Sequence, residues 1–178
     1  MILTLFAGCG SSETNQTKGA STSSRKLYLN IGTGPSTGMY YSYGTAMGEL
    51  WNKYIDNIAV TAQSTNAGAH NITLMDSGDV DIAFCVSGIA KYAVDGTNSF
   101  DGNVHDNLRA GAYFMDSIVQ FVVSNDSGIE TVQDLVGKSF IPGANNSGCE
   151  IVVREIFDAL GISYDDMSVE FVNFDGAV

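Results

Sequence analysis

One stretch, Ile31 to Tyr41, limits what this chain can fold into, because its three glycines lie between a strand pattern and a helix pattern. Apolar residues alternate from Leu27 to Ile31 and predict a buried strand, and an apolar face repeats at helical spacing from Gly38 to Tyr54. In such a turn the glycines allow positive φ angles and let a ligand approach the backbone closely. Ser36, Thr37 and the unpaired amides of the first helical turn then suit a carboxylate or a phosphate.

Two nucleotide-binding motifs are excluded by their spacing. A dinucleotide-binding turn requires Gly-x-Gly-x-x-Gly, and here the third glycine comes one residue late, at Gly38. The acidic residue expected after the second strand is also absent, since residues 63–65 are Gln-Ser-Thr. Gly137–Ser139 ends like a phosphate-binding loop, but Val132 occupies the position of its first glycine. A tight turn that binds no ligand is the alternative interpretation of the first stretch.

The composition indicates a globular protein that does not bind nucleic acid. The chain has 178 residues, 44% hydrophobic and 16% charged, which fits one domain or parts of two. Eight basic and 20 acidic residues give a formal charge of −12, without a basic stripe. Backbone amides can still bind an anion. Cys9, Cys85 and Cys149 lack the spacing of a disulfide framework or a metal site, no apolar run reaches membrane-spanning length, and we expect no cofactor.

The N-terminal residues predict a lipid anchor. Residues 1–8 are mostly apolar, and Cys9 follows Phe-Ala-Gly, which resembles the end of a bacterial lipoprotein signal. Phe6 stands where leucine is usual, and the basic start of a signal peptide is absent, so we expect residues 1–9 to be a partial signal. Residues 10–25 are rich in Ser, Thr and Gly and predict a flexible tether. The alternative is a nonspecific apolar N-terminus.

From Arg25 onward strand and helix patterns alternate, which predicts an α/β fold with a mostly parallel sheet. The chain stops where a further helix is expected, so we expect its C-terminal part to be missing. The predicted strands are Leu27–Ile31, Ile58–Ala62, Val80–Val86, Arg109–Phe114, Ile118–Val123, Ser139–Ile141 and Val169–Val172, and the predicted helical segments are Gly38–Tyr54, Ala69–Met75, Gly88–Val94, Thr131–Leu135 and a helix that follows Pro142–Gly148 and ends at Gly161.

The strand, glycine turn and helix combination occurs twice, at Gly32–Tyr41 and at Pro142–Glu150. The strands around Ile118–Val123 lie between the two copies and predict a crossing between lobes. We therefore expect one incomplete lobe in residues 26–118 and a second in residues 119–178, with the two helix starts facing a shared cleft. Open α/β sheets bind ligands at the carboxyl ends of their strands, where both turns would lie.

The chain also resembles a known family, the TAXI-type solute receptors of tripartite ATP-independent periplasmic (TRAP) transporters. The matching segments follow one another in order with family-like spacing and cover nearly everything from Leu27 to Val172. They are Ile31–Gly34, Gly38–Tyr41, Gln63–Gly68, Leu74–Ala83, Tyr92–Thr97, Asn107–Ala110, Asp126–Ile129, Asp134–Lys138 and Gly143–Gly148.

This resemblance implies a type II periplasmic-binding-protein fold, with two lobes and a cleft. It implies a receptor outside the cytoplasm, without enzymatic activity, that delivers a dicarboxylate or an acidic amino acid such as glutamate to the permease subunits of a TRAP transporter. Lipidation at Cys9 would hold the receptor at the membrane. The ligand contacts implied are Thr33, Ser36, Tyr40, Ser64, Thr65, Asn66, Ser87, Asn146, Ser147 and Gly148. Cys149 departs from the hydroxyl residue usual at its position in the family.

Other readings of these residues remain open. Cys149 at a helix start would be a nucleophile if its pKa were lowered, with His70 or His105 as the base. Asp116 is a possible partner for a ligand ammonium group, and Arg109 for a ligand carboxylate. A receptor for another class of transporter, or a sensor domain on the same fold, would present the same pattern.

Overall fold

The computed structural model describes residues 25–173 and residue 176. The predicted lipoprotein signal with Cys9, and the tether apart from Arg25, lie outside the described residues. The strands are β1 (Leu27–Gly32), β2 (Ile58–Gln63), β3 (Ile82–Ala83), β4 (Ser139–Phe140) and β5 (Ser168–Val169). The α-helices are α1 (Met39–Tyr54), α2 (Gly68–Ser77), α3 (Ser87–Asp95) and α4 (Gly148–Leu160), and 3-10 turns occur at Asn98–Phe100, Val132–Leu135 and Tyr164–Asp166.

The strands form two small parallel sheets. The first has the order β2-β1-β3, with β1 and β2 in register from the Leu27–Ile58 pair to the Gly32–Gln63 pair. In the second sheet β4 pairs with β5. The helices that follow β1 and β2 return the chain to the starting edge of the sheet, as parallel pairing requires. The predicted α/β fold with parallel strands is confirmed.

The crossing strands predicted at Arg109–Phe114 and Ile118–Val123 are wrong, because residues 108–124 form no strand. Ile118 is 80% exposed and Val122 is 89% exposed. A strand needs a partner for its backbone hydrogen bonds, and none of the described residues supplies one to this segment. β3 and β5 are likewise shorter than predicted.

Helix α4 contributes to both hydrophobic cores. Its Ile151 packs with α2, α3 and Phe100, while its Val153 and Phe157 pack with the residues around β4 and β5. Neighbouring apolar residues on α4 thus point to opposite sides, which ties the second half of the chain to the first. The division into lobes at residue 118 stays a prediction.

In the part of the chain that the structure describes, no helix combines the length and the apolar character that a membrane span needs.

The side chain of Asn52 covers the outer edge of β2. Its Nδ2 donates to the carbonyl oxygen of Val60 at 2.9 Å, and its Oδ1 accepts from the amide of Val60 at 2.7 Å. This carboxamide therefore satisfies the backbone groups that an edge strand otherwise offers to another chain. The pair also fixes α1 against the sheet.

We expect Asn52→Leu to lower the free energy of unfolding by about 1–3 kcal/mol, because it leaves the amide and the carbonyl of Val60 unpaired beneath α1. Asn52→Asp keeps the acceptor for the Val60 amide, so its free energy of unfolding should lie between that of Asn52→Leu and that of the parent protein. Urea unfolding followed by circular dichroism measures the difference. An unchanged unfolding midpoint for Asn52→Leu would show that this pair does not stabilise the sheet.

Candidate functional site

One buried asparagine joins the carboxyl ends of the first sheet. Asn71 on α2 is fully buried, and its Nδ2 donates to the carbonyl oxygens of Thr33 at 2.8 Å and Phe84 at 2.7 Å. Its Oδ1 accepts from the hydroxyl of Thr65 at 2.6 Å. The end of β1, the segment after β3 and the loop after β2 are therefore held together by one carboxamide.

Three of the predicted ligand contacts use their hydroxyl hydrogens within the protein. Thr33 is fully buried and donates to the carbonyl oxygen of Gln63 at 2.5 Å, and Ser64 donates to that of Gly34 at 3.1 Å. Thr65 donates to Asn71, as above, and also accepts from the amide of Ala67 at 3.0 Å. These hydroxyls shape the loops, and their contact with a ligand stays a prediction.

The positive φ angles that glycine allows are not used at Gly32, Gly34 or Gly38. None of the three has a positive φ, and Gly38 has φ −85°. Close packing explains Gly32 instead, because a Cβ there would lie 3.1 Å from Oδ1 of Asn71. The glycine makes room for the carboxamide that organises the strand ends.

Three helix starts meet near these strand ends. A Cβ at Gly68, the first residue of α2, would lie 2.8 Å from the carbonyl oxygen of Asn146 and 2.8 Å from the amide nitrogen of Gly148. A Cβ at Gly148, the first residue of α4, would lie 3.7 Å from Cγ2 of Val86, which immediately precedes α3. The start of α4 therefore lies against the starts of α2 and α3. We call the first two residues of α3 and of α4 (Ser87, Gly88, Gly148 and Cys149) the helix-start site.

The amides of the helix-start site donate to no acceptor among the described residues. Each lies in the first turn of a helix, where the N–H groups have no intrahelical partner and the helix dipole is positive. The backbone is also strained next to the site, since Ala67 before α2 has φ 58° and ψ −163°, a region that glycine normally occupies. The hydrogen bond from the Ala67 amide to Thr65 holds it there.

The predicted contact Ser147 caps α4. Its Oγ accepts from the amide of Glu150 at 3.3 Å, and Oε2 of Glu150 accepts from the amide of Asn146 at 3.2 Å. Glu150 is fully buried and accepts hydrogen bonds from Arg154. Nε of Arg154 donates to Oε1 at 3.0 Å, and Nη2 donates to Oε2 at 2.7 Å. The hydrogen bond to Glu150 raises the pKa of the Arg154 guanidinium. Side chains therefore satisfy two amides at this turn and leave those of Gly148 and Cys149 free.

Tyr40 brings further residues to the helix-start site. Its ring stacks on Phe84 with centroids 5.2 Å apart, and both Cys85 and Cys149 lie within electrostatic range of its hydroxyl. Burial raises the pKa of Tyr40, and a hydrogen bond with Ser117 opposes that increase. The sequence prediction included Tyr40 but missed Phe84, Cys85 and Ser117. Ser117 carried no signal, because it lies in the short linker between the two strands wrongly predicted at Arg109–Phe114 and Ile118–Val123.

The predicted ligand contacts are divided between two surfaces. A cavity of about 750 Å³ lies on the face of α2 opposite Asn71, and its lining includes Asn66 and Asn146 together with His70 and His105. Ser87 and Gly148 belong to the helix-start site, Tyr40 lies beside it, and Ser36 is exposed in the turn before α1. The cavity is lined mainly by asparagine, aspartate and histidine side chains, and no residue of the helix-start site is part of its lining. We therefore take the helix-start site as the functional candidate.

Residues 31–178 match the NMT1-like family. This chain belongs to that family. The structure is also similar to that of the alkanesulfonate-binding protein SsuA from Xanthomonas axonopodis pv. citri bound to MOPS, with a TM-score of 0.54 and 16% sequence identity. The similarity covers 86% of this chain and 50% of that chain, so this NMT1-like chain spans about half the length of SsuA. At this identity the likeness shows the fold, which is that of a periplasmic binding protein.

The two charged residues that the sequence analysis gave as further ligand partners, Arg109 and Asp116, form hydrogen bonds with nearby residues of the NMT1-like chain. Arg109 donates to the carbonyl oxygens of Asp106 at 2.9 Å and Leu108 at 2.7 Å, and Asp116 accepts from the hydroxyl of Tyr113. The described residues contain no group of three or more His, Cys, Asp or Glu side chains arranged to hold a metal ion.

The geometry of Cys149 opposes the catalytic reading. The residue is exposed overall, but burial around its sulphur raises the pKa of the thiol, whereas a nucleophile needs a lowered pKa. His105 pairs with Asp76 at 2.5 Å, and Nδ1 of His70 accepts from the amide of Asn66 at 3.4 Å. Both imidazoles line the cavity on the other face of α2.

We expect iodoacetamide to alkylate Cys149 more slowly than free cysteine at pH 7, because a thiol with a raised pKa stays protonated there. The rate should increase as the pH rises toward that pKa. Mass spectrometry of the peptide that contains Cys149, with Cys149→Ser as the blank, measures the rate. Alkylation at pH 7 faster than that of free cysteine would restore the nucleophile interpretation.

Proposed function

We propose that this NMT1-like chain is part of an extracytoplasmic solute receptor, and that its solute is a small organic anion such as a carboxylate or an acidic amino acid. The observation that carries the proposal is the meeting of the α3 and α4 starts, with four amides that donate to no described acceptor. Helix N-termini attract anions through their free N–H groups and their dipoles. Two helix N-termini that lie against each other therefore suit the binding of one anionic group.

Neighbouring side chains support this assignment. The hydroxyls of Tyr40 and Ser117 add donors beside Cys149, and the stacked rings of Tyr40 and Phe84 offer a flat apolar surface for the rest of the solute. Binding would draw the segment around Ser117 and the start of α4 onto the same molecule. This is how a two-lobed receptor closes on its ligand.

The transporter partner rests on the sequence motifs. Their resemblance to TAXI-type receptors favours delivery to the permease subunits of a TRAP transporter, with lipidation of Cys9 as the anchor. The likeness to SsuA favours the second candidate, a receptor for another class of transporter whose solute carries a sulfonate. Both candidates need the same anion site. A permease gene beside this one would favour transport, and a fused kinase or cyclase domain would favour sensing.

Ser87→Pro tests the anion site with a matched control. Ser87 is the first residue of α3, where proline is well tolerated, and Val86 before it already has φ −76° and ψ 146°, which a following proline requires. The substitution removes one free amide and the hydroxyl, while Ser87→Ala removes the hydroxyl alone. A charge-assisted hydrogen bond contributes about 1.5–3 kcal/mol, so the affinity of Ser87→Pro should fall about tenfold or more below that of Ser87→Ala.

Calorimetric titration with glutamate, 2-oxoglutarate, succinate and pentanesulfonate measures this difference, and circular dichroism confirms the fold of each variant. His70→Ala, in the cavity on the other face of α2, should leave the affinity unchanged. Equal affinities of Ser87→Pro and Ser87→Ala, together with a loss of affinity in His70→Ala, would indicate that the solute binds in that cavity and not at the helix-start site.

A further inference from the structure

We propose that the amino end of the first sheet docks on an anionic phospholipid bilayer. Two stretches meet there: residues 25–28, which lead into β1, and residues 50–55, which form the last turn of α1 and its C-cap. We call these two stretches together the amino-end rim. The proposal goes beyond the solute receptor, because the rim contains no residue of the helix-start site and lies at the opposite end of the strands.

The fold gathers the rim from stretches that are separate in the sequence. The amide of Leu27, the first residue of β1, donates to the carbonyl oxygen of Asn57 at 2.7 Å. Asn57 lies in the short loop that joins α1 to β2. The end of α1 is therefore held beside the start of β1. This contact brings Lys53 to the same end of the sheet as Arg25 and Lys26, although the sequence contains no basic stripe.

The rim carries positive charge on a protein that is acidic as a whole. Arg25, Lys26 and Lys53 are all exposed, whereas the whole chain has a formal charge of −12. Neither stretch contains an acidic residue, although Glu49 and Asp56 flank the second one. An anionic lipid surface attracts each Lys or Arg that comes near it. Salt screens charges beyond about 8–10 Å, so the headgroups meet the charge of the rim rather than that of distant carboxylates.

The tyrosines of the rim suit the headgroup layer. Tyr28 is 73% exposed and Tyr54 is 71% exposed. Nζ of Lys26 lies 5.8 Å from the ring centroid of Tyr28, and Nζ of Lys53 lies 5.0 Å from that of Tyr54. Tyrosine rings concentrate at membrane–water interfaces, and lysine extends its ammonium to the phosphates along an apolar stem. Further exposed apolar side chains of the rim are Leu27, Leu50 and Ile55.

A bilayer fits the rim better than an acidic protein does. Amphipathic surfaces bind membranes through apolar contact together with attraction to anionic headgroups, and the rim offers both. The chain also reaches the rim directly from residues 1–24, so an anchor at Cys9 would hold this end of the sheet nearest the membrane. Docking does not require that anchor. It leaves the helix-start site, at the carboxyl ends of the strands, open to a solute.

Co-sedimentation with vesicles tests the proposal. The full chain of 178 residues carries Cys9→Ser, which prevents lipidation, in every sample. It is mixed with vesicles of phosphatidylglycerol and phosphatidylcholine in equal parts, or with vesicles of phosphatidylcholine alone. We expect binding to the anionic vesicles that weakens as the salt concentration rises, and much weaker binding to the neutral ones.

Two double variants show whether the rim makes the contact. Lys26→Gln combined with Lys53→Gln should lower the partition onto anionic vesicles about tenfold or more. Lys91→Gln combined with Lys138→Gln removes the same charge from exposed residues outside the rim and should change the partition far less. Tyr28→Ser combined with Tyr54→Ser keeps every charge and should also weaken binding. Circular dichroism confirms that each variant folds.

Four results would overturn the proposal. The first is absence of binding to the anionic vesicles, and the second is equal binding to the neutral ones. The third is an unchanged partition for a folded Lys26→Gln and Lys53→Gln variant, because residues 1–24 or another surface would then make the contact. The fourth is an equal loss in the two lysine double variants, which would mean that net charge governs binding. None of these results bears on the solute site.

Discussion

The carboxamide of Asn71 is the interaction on which the rest of the site depends. It bonds to the backbone after β1, to the backbone after β3 and to the hydroxyl of Thr65 after β2, so one side chain sets the relative positions of three strand ends. A buried amide with both its oxygen and its nitrogen satisfied is stable, whereas a partly satisfied one is costly. This all-or-none property fixes the platform from which α2 and α3 start.

The second half of the chain is joined to that platform through α4. Gly68 allows the α4 start to approach α2 within backbone contact, and Ile151 packs into the core formed by α2 and α3. Val153 and Phe157 on the same helix belong to the other core. α4 therefore links the two cores, and the paired charges of Glu150 and Arg154 lie within this one helix.

The sequence predicts the regular elements well, because their causes are local. Apolar periodicity predicts β1, α1, β2 and α2. Glycines end the next helices: α2 ends at Gly78 (φ 78°), α3 at Gly96 (φ 65°) and α4 at Gly161 (φ 69°), in a left-handed conformation that favours glycine. Long-range effects were missed. The segment at residues 108–124 has strand-forming residues but no partner strand, and Gly32 is needed for the approach of Asn71 rather than for a positive φ. Nothing in the sequence around Asn71 or Ser117 shows which strand ends or which ring they reach.

The most direct test of the helix-start site is a titration of ¹⁵N-labelled protein with 2-oxopentanoate, followed by ¹H–¹⁵N correlation spectra. An anion held by free amides should move the amide protons of Ser87, Gly88, Gly148 and Cys149 downfield, because each gains a charge-assisted hydrogen bond. The amides of Asn103 and His105, in the cavity on the other face of α2, should stay in place. Shifts concentrated at Asn103 and His105, with the four helix-start amides unmoved, would contradict the account.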